Sequence, residues 1–241
     1  MSVHKFKLYD GVDPRELPAY SIREAALYTH VPVNTLRSWV HGRTYMTAEG
    51  EKISAPLITL PSEAKTGLSF TNLIEVHVLS ALRRKHKLSM QKIRPALDFI
   101  EAEFRSNHPL AEHYFETDGM SLFVEKYGSL IDVSKNGQLA MKEILSVYLT
   151  RVDRDENGMA MRLYPFTRSM PVSDSSSPRM VLIDPTIAFG KPVIAGTGVP
   201  TEIIAERYKT GESIGEIAED YGLEVIEIEE AIRCEFELKA A

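Results

Sequence analysis

Cysteine is almost absent from this sequence of 241 residues, since Cys234 is the only one. A single cysteine excludes an intrachain disulfide and every zinc motif built on cysteine. No apolar run approaches the ~20 residues that a transmembrane helix needs, and residues 1–7 lack the apolar core of a signal peptide. We therefore expect a cytoplasmic protein with no metal, no cofactor and no membrane partner.

Motifs for catalysis are also missing. The seven histidines are dispersed, and His108 and His113 do not have a zinc-ligand spacing. The sequence contains no nucleophile elbow, phosphate-binding loop or paired-carboxylate motif. Gly196-x-Gly198 precedes a predicted helix, but without a long strand before it this pattern is more typical of a turn. The sequence thus predicts a protein that is not an enzyme.

Basic residues are fewer than acidic ones, with 28 Lys and Arg against 34 Asp and Glu and a net charge of −6. That total hides an asymmetry. Residues 1–108 carry 15 basic and 11 acidic side chains, whereas residues 109–241 carry 13 basic and 23 acidic ones. Charge asymmetry between two halves of a chain indicates two different partners.

The pattern of apolar residues predicts a mainly α fold with small β elements (α+β). We divide the chain into a winged-helix domain (1–108), a mixed α/β middle region (109–168), a linker rich in Ser and Pro (169–180) and a C-terminal domain (181–241). The last of these is expected to be a three-helix unit of helix-turn-helix type with short strands at its start. A chain of this length fits several small domains at ~100–200 residues per domain.

Within these regions, apolar spacing and capping residues predict individual elements. Helices are predicted at 21–30, 33–41, twice between 69 and 100, at 138–149, after Thr201, at 214–221 and from 224 onward. Short strands are predicted at 44–47, 52–54, 57–60, 121–124, 130–133, 181–183 and 187–194, with a hairpin over 150–164 about Asn157-Gly158.

The first two helices have the spacing of a helix-turn-helix, a unit that reads DNA through the polar side of its second helix. Asn pairs with adenine, and Arg pairs with guanine or phosphate. A polar outer side that is merely solvated remains the alternative. The side chains predicted to bind DNA here are Ser21, Arg23, Asn34, Thr35, Arg37, Ser38, Trp39, His41 and Arg43.

A basic run follows the predicted strand hairpin. Residues 83–94 contain six basic side chains and no acidic one. Such a run is usually a solvated face, but its place after a helix-turn-helix and a hairpin favours contact with phosphates. We therefore add four residues to the predicted DNA contacts, namely Arg83, Arg84, Lys85 and Lys87.

The N-terminal residues resemble the MerR-like winged-helix domain. The run Val31-Pro-Val-Asn-Thr-Leu-Arg37 is similar to the V-x-x-x-T-L-R run in that family's second helix, and Lys87-Leu-Ser89 is similar to its Gly-Leu-Ser step. The resemblance implies that Arg37 contacts phosphate and Leu36 lies in the core. The wing, residues 43–61, departs in length and sequence. The dimerising coiled coil and the effector cysteines of metal-sensing members are absent, which argues against metal sensing.

The C-terminal residues resemble a second family. The string Ile183-Asp-Pro-Thr-Ile-Ala-Phe-Gly-Lys-Pro-Val-Ile-Ala-Gly-Thr-Gly-Val-Pro-Thr201 and the following Tyr208–Tyr221 are similar to the small domain DUF433. That family is associated with VapB-like antitoxins, which are paired with PIN-like ribonuclease toxins. The combination with a MerR-like domain resembles the larger members of that antitoxin group.

The helices of the C-terminal region are too acidic for DNA. Residues 201–238 hold 12 acidic and 3 basic side chains, so phosphate repulsion makes DNA contact improbable there. An acidic surface suits a basic protein partner, such as the RNA-binding cleft of a nuclease, and the apolar side could alternatively form a dimer contact. The residues predicted to bind the partner are Glu224, Glu227, Glu229 and Glu230.

The sequence therefore predicts an antitoxin of a type II toxin-antitoxin system. It would bind operator DNA as a homodimer on a pseudo-palindrome, repress its own operon, and neutralise a PIN-like ribonuclease toxin encoded next door. The alternative is an effector-sensing MerR-like transcriptional regulator without a toxin partner, with residues 109–168 as its ligand domain.

Overall fold

The computed structural model describes residues 11–47, 50–61, 67–85, 90–131, 135–168 and 178–237. The architecture is mainly α-helical with small antiparallel β elements, as the sequence predicts. The helices are α1 (Ile22–Thr29), α2 (Val33–His41), α3 (Phe70–Lys85), α4 (Met90–Phe104), α5 (Met120–Ile131), α6 (Lys135–Leu149), α7 (Thr201–Lys209), α8 (Ile214–Tyr221) and α9 (Val225–Glu237). The strands are β1 (Arg43–Thr47), β2 (Gly50–Ser54), β3 (Val152–Arg154), β4 (Ala160–Leu163), β5 (Val181–Leu182) and β6 (Val193–Ile194), which pair as β1–β2, β3–β4 and β5–β6.

Local capping and turn signals predicted several of these elements correctly. The capping box before α8 is present, because the Glu216 N–H donates to Ser213 Oγ at 3.2 Å and the Ser213 N–H donates to Glu216 Oε2 at 2.9 Å. Gly222 ends α8 in the left-handed conformation. The hairpin β3–β4 turns at residues 155–158, where Gly158 has φ +79°. These elements depend on contacts within a few residues, which a sequence displays directly.

Two strands predicted in the middle region are wrong. Residues 121–124 and the start of 130–133 belong to the helix α5, and residues 132–134 lie outside the described residues. Phe123, Val124 and Tyr127 are fully buried and lie on one side of this helix. A short apolar run fits a strand and a buried helix equally well by periodicity, and packing against α4 and α6 selects the helix here.

Residues 57–60 also form no strand. The backbone N–H groups of Leu57 and Ile58 both donate to the Trp39 carbonyl oxygen, at 2.7 and 3.1 Å, and both side chains are buried. These N–H groups therefore satisfy the C-terminal end of α2 and are not available to a β ladder.

Two details of the C-terminal region differ from the prediction. Within 187–194 only Val193–Ile194 forms a strand, because Phe189 takes a left-handed conformation in a short 3-10 turn. Thr201 does not cap α7. Pro200 is the capping residue, and the buried Thr201 hydroxyl donates to Glu235 Oε1 at 2.7 Å.

The main hydrophobic core extends from Tyr20 to Cys234, and a smaller cluster lies between α7, α8 and α9. The backbones of Leu163 and Ile183 exchange two hydrogen bonds, at 2.9 and 2.8 Å, on either side of the predicted linker. The last sixty residues therefore pack directly on the residues before them. Residues 169–177 of the linker lie outside the described residues, and the domain boundaries stay a prediction.

Candidate nucleic-acid interface

The helix pair α1–α2 is built from local signals. Ser21 and Glu24 form the predicted capping box at the start of α1. His30 ends α1 with φ +54°, a left-handed conformation that turns the chain sharply before α2. Leu36 and Val40 on α2 are buried and fix the orientation of the second helix. The sequence therefore produces a helix-turn-helix with one buried and one exposed side.

The helix α2 carries six of the thirteen predicted contacts, and three of these six are exposed. Asn34, Arg37 and His41 are exposed at i, i+3 and i+7, so they lie along one face. Arg37 Nη1 donates to Asn34 Oδ1 at 2.9 Å, which holds both side chains on that face. Thr35 and Ser38 are half-buried, and the Ser38 hydroxyl donates to the Thr35 carbonyl at 2.7 Å. The arrangement presents an amide and a guanidinium together, a pair that can read base edges.

Two further predicted contacts lie at the start of α1. Arg23 is exposed, and no ion pair joins it to another described residue. Ser21 is exposed as well, but its hydroxyl accepts the Glu24 N–H at 3.2 Å. Arg23 therefore offers a positive charge that is available to a phosphate, whereas the Ser21 hydroxyl is used to cap α1.

The prediction for Trp39 is wrong. Its side chain is 1% exposed and belongs to the main core, so it does not reach a DNA surface. Trp39 lies three residues after Leu36 on the apolar stripe of α2, and burying a ring of this size stabilises the helix pair. The spacing alone could have placed this tryptophan in the core.

The hairpin β1–β2 forms a wing directly after α2. Its register puts Arg43 and Tyr45 on one face, with the Arg43 guanidinium 5.8 Å from the centre of the Tyr45 ring. The other face carries the exposed side chains of Met46, Ile53 and the acidic Glu51. The Arg43 face is therefore the one whose charge suits a phosphate backbone.

The residues of the basic run at 83–94 differ in whether their charge is available to phosphate. Arg83 is exposed near the end of α3, as the prediction requires. The side chains of Arg84 and Lys85, and Lys87 as a whole, lie outside what the structure describes. Arg94 is not available to phosphate, because it forms ion pairs with Asp98 at 2.6 Å and Glu101 at 3.1 Å. The carboxylate four residues after Arg94 was a sequence signal for this pairing.

The acidic residues predicted to bind the partner, at the start of α9 and along it, have separate roles. Glu224 is exposed, while Glu227 is half-buried and its Oε2 accepts the Glu224 N–H at 2.9 Å, so it caps the helix. Glu229 is half-buried and no described residue forms an ion pair with it. Of the predicted set, Glu224 and Glu229 keep a carboxylate available to a partner.

The prediction for Glu230 is wrong. This residue has no exposed surface, and its carboxylate accepts hydrogen bonds from the Thr167 hydroxyl at 2.5 Å, from Arg168 and from Arg233. Burial alone would raise the pKa of Glu230, but the bonds from Arg168 and Thr167 and the charge of Arg233 outweigh burial and lower it. Thr167 and Arg168 lie more than sixty residues away in the chain, so no local sequence pattern could predict that they bind Glu230.

Within the described ranges, no group of three His, Cys, Asp or Glu residues is arranged to hold a metal ion. In the same part of the chain, none of the helices has the length and apolar character needed to cross a membrane.

Comparison with known proteins defines the class of each end of the chain. The family described as "Putative DNA-binding HTH domain" matches residues 18–97, and the family described as "Protein of unknown function (DUF433)" matches residues 181–233. The chain thus carries a helix-turn-helix domain at its N-terminal end and a DUF433 domain at its C-terminal end, which confirms both of these predictions. The likeness to MerR proteins in particular stays a prediction.

Relatives of nearly the same length occur in Mycobacterium tuberculosis (strain ATCC 25618 / H37Rv). The protein named "Putative antitoxin VapB45" is 29% identical over 234 residues, which cover 90% of this chain and 93% of that protein. "Uncharacterized protein Rv2308" is 26% identical over 224 residues, which cover 87% and 89%. The crystal structure of Rv2018 from Mycobacterium tuberculosis superposes with a TM-score of 0.64 at 22% identity and covers 90% of this chain and 98% of that one, so the fold is shared.

Proposed function

We propose that this protein is a DNA-binding antitoxin that neutralises a PIN-like ribonuclease toxin and represses its own operon. The observation that carries the proposal is the separation of surface chemistry along the chain. Exposed Arg23, Arg37 and Arg43 lie on the helix-turn-helix and wing, whereas residues 201–237 hold 12 acidic and 3 basic side chains. Similarity over most of the length of a protein named as an antitoxin supports the same conclusion.

In the DNA-binding half, α2 would lie in the major groove with Asn34 toward base edges and Arg37 toward the adjacent phosphate. Arg23, Arg43 and Arg83 would contact the flanking phosphates, since each is exposed. Binding to a pseudo-palindromic operator would use a homodimer, with one helix pair on each half-site.

In the toxin-binding half, the acidic C-terminal helices would meet the positively charged RNA-binding cleft of the toxin. The resulting complex would cover a cleft that needs both a metal ion and RNA, so the antitoxin itself would need no catalytic group. Opposite charge on the two surfaces would raise the rate of association and fix the orientation of the complex.

Two assays test the two halves separately. Fluorescence anisotropy with a fragment of the protein's own promoter should show binding that weakens steeply as salt rises, because phosphate contacts release counterions. A ribonuclease assay with the purified product of the adjacent gene should show loss of activity at equimolar antitoxin. Binding that is absent at low salt contradicts the repressor half, and undiminished ribonuclease activity contradicts the antitoxin half.

A second candidate is the effector-sensing regulator, which one cavity favours. This cavity of about 240 Å³ lies where the N-terminal segment, the β3–β4 hairpin and the loop after β5 meet. Its charged side chains already pair with one another, Arg15 with Asp155 at 2.7 Å and Arg162 with Asp184 at 3.1 Å. A ligand would have to displace these pairs, so this function ranks second. A small molecule that changes operator affinity would favour it.

A further inference from the structure

An open apolar groove of about 500 Å³ lies on the C-terminal domain, between the end of α7, the start of α8 and the last turns of α9. Its lining consists of Tyr208, Ile214, Glu229, Ile232, Arg233 and Phe236. We infer that this groove is the docking site for an amphipathic segment of the toxin that carries an apolar anchor flanked by basic residues. The inference rests on the proposed antitoxin function and adds the surface and the chemistry of the partner.

Two aromatic rings form the wall of the groove. Tyr208 and Phe236 are each 40% exposed, and their rings meet edge to face with centroids 6.1 Å apart. Ile232 lies deeper and is almost fully buried. Exposed aromatic side chains with fixed orientation are typical of the centre of a protein interface, where they give contact area at small entropic cost.

The charged side chains in and around the groove indicate the charge of the partner segment. The Arg233 guanidinium donates to the buried Glu230 carboxylate, which it shares with Arg168, so only part of the positive charge in the lining is offset. Lys209 Nζ lies 5.4 Å from the centre of the Phe236 ring and adds a second positive charge at the wall. Glu229 is the lining residue whose charge no described residue pairs. The surrounding helices add to this negative potential, with 12 acidic and 3 basic side chains over residues 201–237. The excess of carboxylates over these two cations therefore favours a basic flank on the partner over an acidic one.

The groove faces away from the core that supports the DNA-binding helices. Residues 229, 232, 233 and 236 have the i, i+3, i+4, i+7 spacing of one face of α9. The opposite face carries Cys234, which is buried in the same core as Tyr20 and Ala25 at the start of the helix pair. An occupant of the groove would therefore lie on the outer side of α9.

The test measures binding of the full chain to the purified product of the adjacent gene by isothermal titration calorimetry. Phe236→Glu should raise the Kd at least about 30-fold, because it places a charge at the aromatic wall. Glu229→Lys should raise it about tenfold, because it reverses the charge that the basic flank meets. Ile203→Glu is the matched control. Ile203 has nearly the same exposure, at 43%, but lies about 140° around α7 from Tyr208, and its substitution should change the Kd less than about threefold.

Thermal unfolding of each variant, followed by circular dichroism, checks the fold. If Phe236→Glu unfolds, the Kd of Glu229→Lys alone tests the inference. This variant should stay folded, because the Glu229 side chain forms no ion pair with a described residue. Wild-type affinity in both folded groove variants overturns the inference while the antitoxin function stands. Loss of self-association in these variants, with toxin binding intact, also overturns it and assigns the groove to a second copy of the chain. A wild-type chain that fails to bind the toxin contradicts the proposed function itself.

Discussion

The carboxylate of Glu230 is fully buried and held by three side chains, Thr167, Arg168 and Arg233. Both arginines are partly exposed, so water screens part of the attraction. The cluster holds α9 against Thr167 and Arg168, which are the last described residues of the middle region. Glu230 thus supports the position of the C-terminal domain and does not offer a charge to a partner.

Glu230→Gln should lower the free energy of unfolding by roughly 2 kcal/mol at pH 7, the magnitude of a hydrogen bond to a charged group. The pKa of Glu230 is lower in the folded chain than its ordinary value of 4.5, so the stabilisation is complete above 4.5 and is lost as pH falls through the lowered value. Urea unfolding of both proteins between pH 7 and pH 3 should therefore show the difference shrinking below pH 4.5. A difference that stays constant over this range contradicts an ionised Glu230.

Gly42 joins α2 to the wing with φ +69° and ψ −175°, a conformation that is essentially restricted to glycine. A Cβ atom at this position would lie 2.3 Å from the Ser54 carbonyl oxygen. Gly42→Ala should therefore lower the free energy of unfolding by about 3 kcal/mol in urea titrations.

Gly222→Ala is the control for that substitution. Gly222 is left-handed too, but no atom lies within 4 Å of a Cβ placed there, so its cost should be about 1 kcal/mol. Equal losses in the two variants would show that the contact with Ser54 adds nothing.

Among elements, those predicted correctly are the ones that local chemistry determines. The capping boxes at Ser21 and Ser213 and the Asn157-Gly158 turn each act within four residues. The sequence predicts strands where α5 lies, because an apolar run of this length has no distinctive period and its packing neighbours come from distant parts of the chain. Sequence reasoning could likewise identify Arg37 as exposed, but it could not foresee that Glu230 is buried.

The exposed face of α2 leads to a prediction for DNA binding. Arg37→Ala should weaken operator binding about tenfold and reduce the slope of log affinity against log salt by about one, since one phosphate contact is lost. Fluorescence anisotropy across a salt series measures both quantities. Lys135→Ala, which removes an exposed positive charge at the start of α6, should leave the affinity and the slope unchanged. Similar effects of the two substitutions would indicate a general charge effect and not a contact by α2.

At the scale of the whole molecule, the DNA-binding helices and the C-terminal domain share one core. His30 at the end of α1 donates to the Phe166 carbonyl at 2.6 Å. Gly190 packs so closely on Tyr20 that a Cβ atom at position 190 would lie 2.3 Å from the Tyr20 hydroxyl oxygen. The charge asymmetry of the sequence indicated two surfaces, but it contained no information about this packing. The two proposed functions therefore belong to elements that share one core.

The central claim is that one chain binds DNA and toxin on separate surfaces. An electrophoretic mobility shift with a fragment of its own promoter, with and without an equimolar amount of the adjacent gene's product, tests this claim most directly. We expect the chain alone to retard the DNA and the toxin to retard it further, because the groove on α9 lies opposite the face that packs on the core of the DNA-binding helices. DNA that is not retarded at low salt, or a complex whose mobility the toxin does not change, would contradict the account.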